Sequence, residues 1–256
     1  MKLVITGASS GLGEALAREA AHRYPNASIA LIARRGEALE ALAEQLGGVR
    51  TLCCPIDLTD RAALAEAGKE ILSRFGAPDV VIANAGVNGP TYTGTPGDEA
   101  QFERIFQTNV MGVFDTFATF VPAMRARGQG RLVGIASVAG IRGMPSLGGY
   151  CASKAAVIAY CESLRLELKT SGLSVCTIAP GYIRTPMTAR NRYAMPFLMD
   201  ADRFARKAFD AIERGRSFSV IPWQMGWVAR LLRVLPDALF DAAFARAPHK
   251  PRPPAS

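Results

Sequence analysis

Short apolar runs alternate along the chain with longer segments in which apolar residues recur every three or four positions. The apolar runs predict strands at 2–6, 28–33, 50–54, 79–84, 131–136, 174–179 and 217–221. The longer segments predict helices at 11–23, 36–46, 60–75, 99–127 (broken near Asn109), 149–171 and 202–214. This alternation predicts an α/β fold with a doubly wound parallel sheet of about seven strands and helices on both faces.

A glycine-rich turn, TGASSGLG at residues 6–13, joins the first predicted strand to the first predicted helix. Gly7 allows a tight turn, Gly11 lets the backbone approach a phosphate, and Gly13 lets helix and strand pack closely. The N–H groups at the helix start would then face a pyrophosphate. The spacing G-x-x-x-G-x-G differs from the usual G-x-G-x-x-G. The order of strand, turn and helix nevertheless indicates a Rossmann-type dinucleotide site.

The end of the second predicted strand indicates which dinucleotide binds. Folds of this type that prefer NAD usually carry Asp or Glu about 20 residues past the glycines. Ala33 stands there instead, and Arg34 follows it. No carboxylate would repel a 2′-phosphate, and a guanidinium can bind one through two N–H groups. We therefore expect NADP(H) rather than NAD. The alternative is that Arg34 and Arg35 only cap the next helix, a role that suits Arg35 better.

Tyr150 and Lys154 lie four residues apart, so that they share one face of the predicted helix 149–171. A phenol titrates near pH 10, and a neighbouring ammonium favours the phenolate and lowers that pKa. The pair can therefore act as a proton donor or acceptor near neutrality. Taken alone, the same spacing also fits an ordinary amphipathic helix with a surface lysine.

Each motif is weak evidence when taken alone, but their order along the chain is highly specific. The glycine turn, Asn84-Ala85-Gly86, Asn109, Ser137, Tyr150-x-x-x-Lys154 and Pro180-Gly181 follow one another. Together they closely resemble the short-chain dehydrogenase/reductase family over roughly residues 1–190. The resemblance implies a doubly wound fold that binds NAD(H) or NADP(H) and moves hydride between the nicotinamide and a carbonyl or alcohol.

The resemblance also implies four catalytic residues. Tyr150 would be the general acid/base, and Lys154 would lower its pKa and hold the nicotinamide ribose. Ser137 would hydrogen-bond the substrate oxygen, and Asn109 would order a proton-relay water near Lys154. Simpler roles stay open, since Ser137 fits a turn at a strand end and Asn109 fits backbone pairing at a helix bend.

The cofactor site that the resemblance and the motifs imply is larger. Asp57 would contact the adenine, Asn84 to Gly86 would lie beside the adenosine ribose, and the segment after Pro180 would line the nicotinamide. Asp57 could instead cap the next helix, as could Thr59 or Asp60, and Asn84 could only brace the central strands. The expected cofactor residues are Gly7, Ser9, Ser10, Gly11, Leu12, Gly13, Arg34, Asp57, Leu58, Asn84, Ala85, Gly86, Tyr150, Lys154, Pro180, Gly181, Ile183 and Thr185.

Composition narrows the alternatives. The chain has two histidines and five cysteines without metal-ligand spacing, so a Ser-His-Asp triad or a metal site is not expected. The cysteines are expected to be small core residues in a reducing cytosol. The net charge is +8, but the sequence contains no basic run interleaved with aromatic residues, so nucleic-acid binding is not expected. The predicted fold begins at residue 2, so we expect a cytoplasmic protein without a signal peptide.

Three regions are expected: a Rossmann domain at 1–221, an amphipathic helical extension at 222–247 and a proline-rich tail at 248–256. Within the domain, residues 186–215 would form a substrate lid. The apolar side chains of this lid favour a hydrophobic carbonyl or alcohol as substrate, and Met144 and Leu147 are expected to line the same pocket. The lid side chains could equally form the core of the lid and point away from the substrate. These lid residues are Met187, Tyr193, Met195, Pro196, Phe197, Leu198 and Met199.

The extension carries an apolar stripe from Trp223 to Leu235 that is interrupted by Arg230 and Arg233, and a second stripe follows Pro236. Such stripes are most often core or an oligomer contact. Tryptophan beside arginine also suits a helix that lies on a membrane, here at the inner face. The resemblance favours a homodimer or homotetramer, paired through the helix 149–171 and the long helix before it.

The leading hypothesis is an NADP(H)-dependent oxidoreductase that interconverts a carbonyl and an alcohol. A second hypothesis is a non-catalytic NADP(H)-binding sensor or scaffold of the same fold. That alternative usually requires a damaged catalytic set, whereas all four residues are present here.

Overall fold

The structure, a computed structural model, describes residues 1–189, 191 and 194–245. Tyr193, the predicted tail 248–256 and residues 246–247 of the predicted extension lie outside the described residues. Every predicted strand and helix is present, and the ends of these elements shift by at most four residues.

The elements are as follows. The strands are β1 Lys2–Thr6, β2 Ser28–Ala33, β3 Arg50–Pro55, β4 Val80–Ala83, β5 Gly130–Ile135, β6 Leu173–Pro180, β7 Ile183–Arg184, β8 Met199–Asp200 and β9 Phe218–Ile221. The helices are α1 Gly11–Arg23, α2 Gly36–Gln45, α3 Arg61–Phe75, α4 Asp98–Phe106, α5 Gly112–Arg127, α6 Gly148–Glu167, α7 Ala201–Glu213, α8 Trp223–Val234 and α9 Asp237–Phe244. A π-helical turn, Gln107–Met111, joins α4 to α5, and a 3₁₀ turn, Val138–Gly140, follows β5.

The main sheet has seven parallel strands in the order β3-β2-β1-β4-β5-β6-β9. This confirms the doubly wound Rossmann-type prediction. The chain runs outward from β1 to β3 and then returns to build the other half from β4. In such sheets the crevice at the carboxyl ends of the strands, where the order reverses, is the usual ligand site.

Each face of the sheet buries its own apolar layer because successive side chains of a strand point to opposite faces. Leu3 and Ile5 of β1 join the layer under α1, α2 and α7, whereas Val4 joins the layer under α3, α5 and α6. Phe204 and Phe209 of α7 are fully buried in the first layer. Helix α7 is therefore part of the core, and the predicted lid can only concern the segment before it.

The cysteines fit the predicted role of small core residues. All five are free thiols, and four of them are buried. Burial raises the pKa of Cys161 to about 11 and that of Cys176 to about 12. These thiols are therefore neutral near pH 7 and behave as apolar side chains.

The C-terminal helices pack on the domain by one side only. Met225 and Ala229 of α8 and Phe240 of α9 are buried, whereas Trp223 and Trp227 of α8 are exposed. The two apolar stripes of the extension lie on these two helices. Among the described residues, no helix combines the length and the apolar character that crossing a membrane requires.

Candidate active site

A cleft of about 500 Å³ opens at the carboxyl ends of the strands. Two expected site residues, Gly13 and Asn109, do not line it but contact residues that do. The other expected site residues all do: Gly7, Ser9, Ser10, Gly11, Leu12, Arg34, Asp57, Leu58, Asn84, Ala85, Gly86, Ser137, Tyr150, Lys154, Pro180, Gly181, Ile183 and Thr185.

The glycine turn forms one end of the cleft in a geometry that excludes side chains. Gly7 and Gly11 have positive φ angles of 67° and 61°. A Cβ on Gly13 would lie 2.1 Å from the carbonyl oxygen of Gly7. A Cβ on Gly11 would project to within 3.4 Å of Thr185 on the opposite wall. The space between the turn and that wall therefore depends on glycine, as a phosphate cradle at a helix start does.

Thr6 and Asn84 brace the turn from below. The hydroxyl of Thr6 accepts hydrogen bonds from the N–H groups of Asn84 and Ala85, at 3.0 and 3.1 Å. The side-chain amide of Asn84 donates back to the carbonyl of Thr6 at 2.9 Å. Asn84 thus has the bracing role that the sequence left open and also lines the cleft. The sequence reasoning missed Thr6, whose signal would have been a polar residue at the end of an apolar strand.

Arg34 and Arg35 follow β2 and serve different purposes. The guanidinium of Arg35 donates to the carbonyl of Ser9 at 2.8 Å and contacts its hydroxyl at 3.2 Å. No side chain caps the start of α2. Arg35 does stand at the N-cap position of α2, as the alternative interpretation of the sequence had it, but its side chain fixes the glycine turn instead of capping the helix. Arg34 is exposed, lines the cleft and lies 3.8 Å from a carboxylate oxygen of Asp57.

The structure separates the candidates for the cap of α3. Asp60 is the cap, since its carboxylate accepts the N–H of Ala63 at 3.0 Å. Asp57 instead accepts the N–H and the hydroxyl of Thr59, and the backbone bond is the main reason that its pKa is lowered. Asp57 is therefore an anion near pH 7, held at the cleft wall.

Helix α6 carries Tyr150 and Lys154, which line the same cleft. The side chain of Lys154 is buried, and its Nζ donates to the carbonyl of Ile135 at 2.8 Å. The same Nζ lies 5.9 Å from the ring centroid of Tyr150. Burial lowers the pKa of Lys154 to about 8. Lys154 is thus mostly an ammonium at pH 7, next to the phenol.

Ser137 is held beside them by the turn that follows β5. Its hydroxyl oxygen accepts the N–H of Ala139 at 3.1 Å, so the O–H can donate to a substrate oxygen. Gly140 of the same turn lies against the backbone of Lys154, where a Cβ would be 2.6 Å from the carbonyl carbon. Ser137 is therefore both a turn residue and a cleft residue. The need for Gly140 was not visible in the sequence.

Asn109 lies in the π-helical turn and is fully buried. Its Oδ1 accepts the N–H of Val87 at 2.8 Å, and its Nδ2 donates to the carbonyl of Val87 and to the hydroxyl of Ser153, both at 3.0 Å. The side chain therefore joins the loop after β4 to α6 instead of pairing with the bend of its own helix. Both amide hydrogens are used in these bonds.

Further residues line the cleft that the sequence did not assign to the cofactor or to catalysis, although Pro186 and Thr188 fall within the predicted lid 186–215. Thr188 lines the cleft next to Ile183, and its hydroxyl donates to the carbonyl of Ile183 at 2.6 Å. Met187 lines the cleft as expected, but Met144 and Leu147 are half-buried and do not line it. The missed residues are Arg35, Ile56, Val87, Thr108, Ile135, Ala136, Pro186 and Thr188.

The loop between Ser137 and Tyr150 is tied to the C-terminal extension. Arg142 pairs with the carboxylate of Asp237 at 2.7 Å, and its guanidinium lies 4.3 Å from the ring centroid of Phe240. In the other direction, Arg233 donates to the carbonyl of Ile141 at 3.2 Å. The sequence did not predict this tie, which joins residues about 95 positions apart.

Helix α8 also supports the opposite wall of the cleft. A Cβ on Gly181 would lie 2.7 Å from the side chain of Met225, so the two are in close contact. The extension therefore contacts Gly181 of the cleft and the loop that follows Ser137.

Known proteins share this sequence and fold. Residues 2–195 match the family described as short chain dehydrogenase. An uncharacterized oxidoreductase of Myxococcus xanthus is 38% identical over 248 residues, which is 95% of this chain and 96% of that protein. An alcohol dehydrogenase from Thermococcus sibiricus, solved with 5-hydroxy-NADP, is 27% identical with a TM-score of 0.75, over 86% of this chain and 95% of that one.

A second solved structure carries the other dinucleotide. A 3-oxoacyl-[acyl-carrier protein] reductase from Brucella melitensis with bound NAD is 25% identical, with a TM-score of 0.75, over 86% of this chain and 88% of that one. Similar folds thus bind either cofactor. The chain belongs to the short-chain dehydrogenase/reductase family and is an oxidoreductase with a nucleotide-binding Rossmann fold.

Proposed function

We propose that this protein is an NADP(H)-dependent oxidoreductase that interconverts a carbonyl and an alcohol. One observation carries the proposal: Ser137, Tyr150 and Lys154 line the same cleft as the glycine turn. A dinucleotide bound along the cleft would extend from the turn toward these three side chains. A sensor without catalytic function would not need them together.

The residues present fit a dinucleotide. The glycine turn would hold the pyrophosphate, Arg34 and Asp57 would face the adenosine end, and the segment from Pro180 to Thr185 would face the nicotinamide. When bound, the nicotinamide supplies or accepts the hydride. The chain's own residues would orient the substrate and move the proton.

The proton would pass through Tyr150. In the reductive direction its hydroxyl donates to the substrate oxygen as negative charge develops there. The hydroxyl of Ser137 donates a second hydrogen bond to that oxygen, as in an oxyanion hole. The buried ammonium of Lys154 stabilises the phenolate that remains. Asn109 would act indirectly, by holding Val87 and Ser153 in place.

The preference for NADP(H) rests on charge at the end of β2. Arg34 is exposed at the cleft, and Ala33 leaves no carboxylate at the end of the strand. The carboxylate of Asp57 is also near this end of the cleft, and the guanidinium of Arg34 lies 3.8 Å from it. A 2′-phosphate would meet Arg34 with Arg35 behind it, and two charge-assisted bonds would favour its binding.

The substrate side is apolar. Met187 lines the cleft, and Phe197 of the same segment is half exposed. The described residues of this segment, 186–189, 191 and 194–199, would close over a hydrophobic carbonyl or alcohol and exclude water. Assembly as a homodimer or homotetramer would involve α5 and α6, which expose Phe114 and Leu166.

The proposal is tested by following NADPH oxidation with a panel of ketones, aldehydes, ketosteroids and 3-oxoacyl thioesters. We expect turnover with at least one apolar class, and a kcat/KM for NADPH about tenfold or more above that for NADH. Binding of NADPH without turnover of any class would favour the sensor. Equal use of NADH would contradict the role of Arg34.

A further inference from the structure

One face of α8 presents large apolar side chains to solvent. Trp223, Trp227, Leu231 and Val234 follow one another at helical spacing, and their exposed fractions are 65%, 63%, 63% and 76%. The other face of the helix is packed on the domain through Met225 and Ala229. The packing of the domain therefore accounts for only one of the two apolar faces of α8.

The charged side chains that α8 itself carries are all positive. Arg230 and Arg233 are exposed beside it, and the guanidinium of Arg230 lies 5.3 Å from the ring centroid of Trp227. The sequence of α8, WQMGWVARLLRV, contains no Asp or Glu. The whole chain carries a net charge of +8. The face would therefore complement a partner that is apolar inside and anionic at its surface.

We propose that the exposed face of α8 docks on an anionic lipid bilayer. The indole rings of Trp223 and Trp227 suit the headgroup level, where an apolar body and an N–H donor are both accommodated. Leu231 and Val234 would enter the acyl boundary, while Arg230 pairs with lipid phosphates.

A second copy of the chain would cover this face less well. Pairing two α8 helices through it would bring the exposed arginines of both copies together, and α8 has no carboxylate to neutralise them. A bilayer surface with anionic lipids supplies that negative charge. This difference in electrostatics favours lipid as the occupant.

The position of α8 gives docking a consequence that rests on the proposed function. Helix α8 packs behind Gly181, and α9 with the end of α8 holds the loop after Ser137. Docking would therefore bring the reactive end of the cleft near the bilayer. Apolar carbonyl compounds dissolved in the membrane would be the substrate class.

The test uses the full chain and its only two tryptophans, both on α8. Vesicles of phosphatidylglycerol and phosphatidylcholine, or of phosphatidylcholine alone, are mixed with the protein without cofactor. We expect co-sedimentation with the anionic vesicles, a blue shift of tryptophan emission and weakening at high salt. Protein that stays in the supernatant at low salt would overturn the proposal. Binding is read without turnover, so this result is independent of the enzyme assay.

Matched variants locate the surface. Leu231→Ser and Arg230→Glu should each weaken vesicle binding about tenfold, whereas Phe218→Ser on β9 and Arg203→Glu on α7, both at exposed positions outside the proposed oligomer contact, should not. Equal losses in both sets would overturn the proposal. So would a fall in the sedimentation mass of the lipid-free protein on Leu231→Ser alone, because a second copy would then be the occupant.

Discussion

The ammonium of Lys154 donates to the carbonyl of Ile135, the last residue of β5, at a distance of 2.8 Å. Ser137 follows two residues later and lines the cleft with Lys154. The end of β5 therefore anchors the amine of Lys154 and also positions the hydroxyl of Ser137. This arrangement holds Lys154 in a buried position, and burial disfavours its charge.

That burial makes Lys154 costly for the fold. Its pKa falls from 10.5 to about 8, so the unfolded chain binds more protons between these two pH values. The charged amine consequently destabilises the folded state below pH 8, by about 3 kcal/mol, and this cost disappears as the pH rises toward 10.5. Lys154→Met removes the cost and loses one hydrogen bond worth about 1 kcal/mol.

We therefore expect Lys154→Met to be more stable than the wild type at pH 7, by about 1–2 kcal/mol, with turnover lost. Urea unfolding at neutral and alkaline pH measures the difference, which should shrink as the pH approaches 10.5. A variant that is less stable at pH 7, or whose advantage does not change with pH, would contradict this account.

Tyr150→Phe should abolish most turnover and leave cofactor binding unchanged, because only the hydroxyl that donates the proton is removed. General acid catalysis accounts for about 10²–10⁴-fold in kcat. Kinetics and a fluorescence titration with NADPH measure the two effects. Tyr160→Phe is the matched control, since that tyrosine packs against Phe114 and Phe117 away from the cleft. Retained turnover in Tyr150→Phe would remove it from the mechanism.

Arg34→Ala and Arg35→Ala should differ in how they affect the two cofactors. We expect Arg34→Ala to lower kcat/KM for NADPH by about 10–100-fold and to leave NADH nearly unchanged, because it loses a charge-assisted bond to phosphate. Arg35→Ala loosens the turn through Ser9 and should lower both. Parallel assays with the two cofactors measure this. An equal loss for both cofactors in Arg34→Ala would make Arg34 a structural residue.

Asn109→Ala should destabilise the fold by about 2–4 kcal/mol, because it leaves the part-buried N–H and carbonyl of Val87 and the buried hydroxyl of Ser153 without this partner. The free energy of unfolding in urea measures the loss. Asn109→Asp keeps the acceptor for the N–H of Val87 but cannot donate to its carbonyl, so an intermediate loss is expected. A change below about 0.5 kcal/mol in Asn109→Ala would be too small for the bonds described.

Arg142→Ala should raise KM for the carbonyl substrate several-fold and leave NADPH affinity unchanged, because it frees the loop after Ser137 from α9. Asp237 is 90% exposed, so the lost pair should cost little stability. The double variant Arg142→Asp/Asp237→Arg should recover part of the KM. The control is Arg61→Ala, which breaks a pair with Asp115 elsewhere. An equal effect of the control on KM would argue against a positioning role.

The sequence by itself determined the order of strands and helices, since apolar periodicity is local. It also determined the place of the cleft, because a glycine turn after β1 and a helix with Tyr150 and Lys154 both lie where parallel strands end. The ordered motifs sufficed to bring together most of the expected lining residues. These predictions depend on spacing along the chain, which needs no knowledge of distant contacts.

Only the tertiary structure decided which distant groups hold that cleft in shape. Arg35 reaches Ser9, Asn109 reaches Val87, and Arg142 reaches Asp237. Each partner is brought close by the packing of whole helices on the sheet, and no local pattern marks it. The same reason explains the exposed face of α8: its apolar stripe was visible in the sequence, but which side the domain would bury depended on where α8 packs.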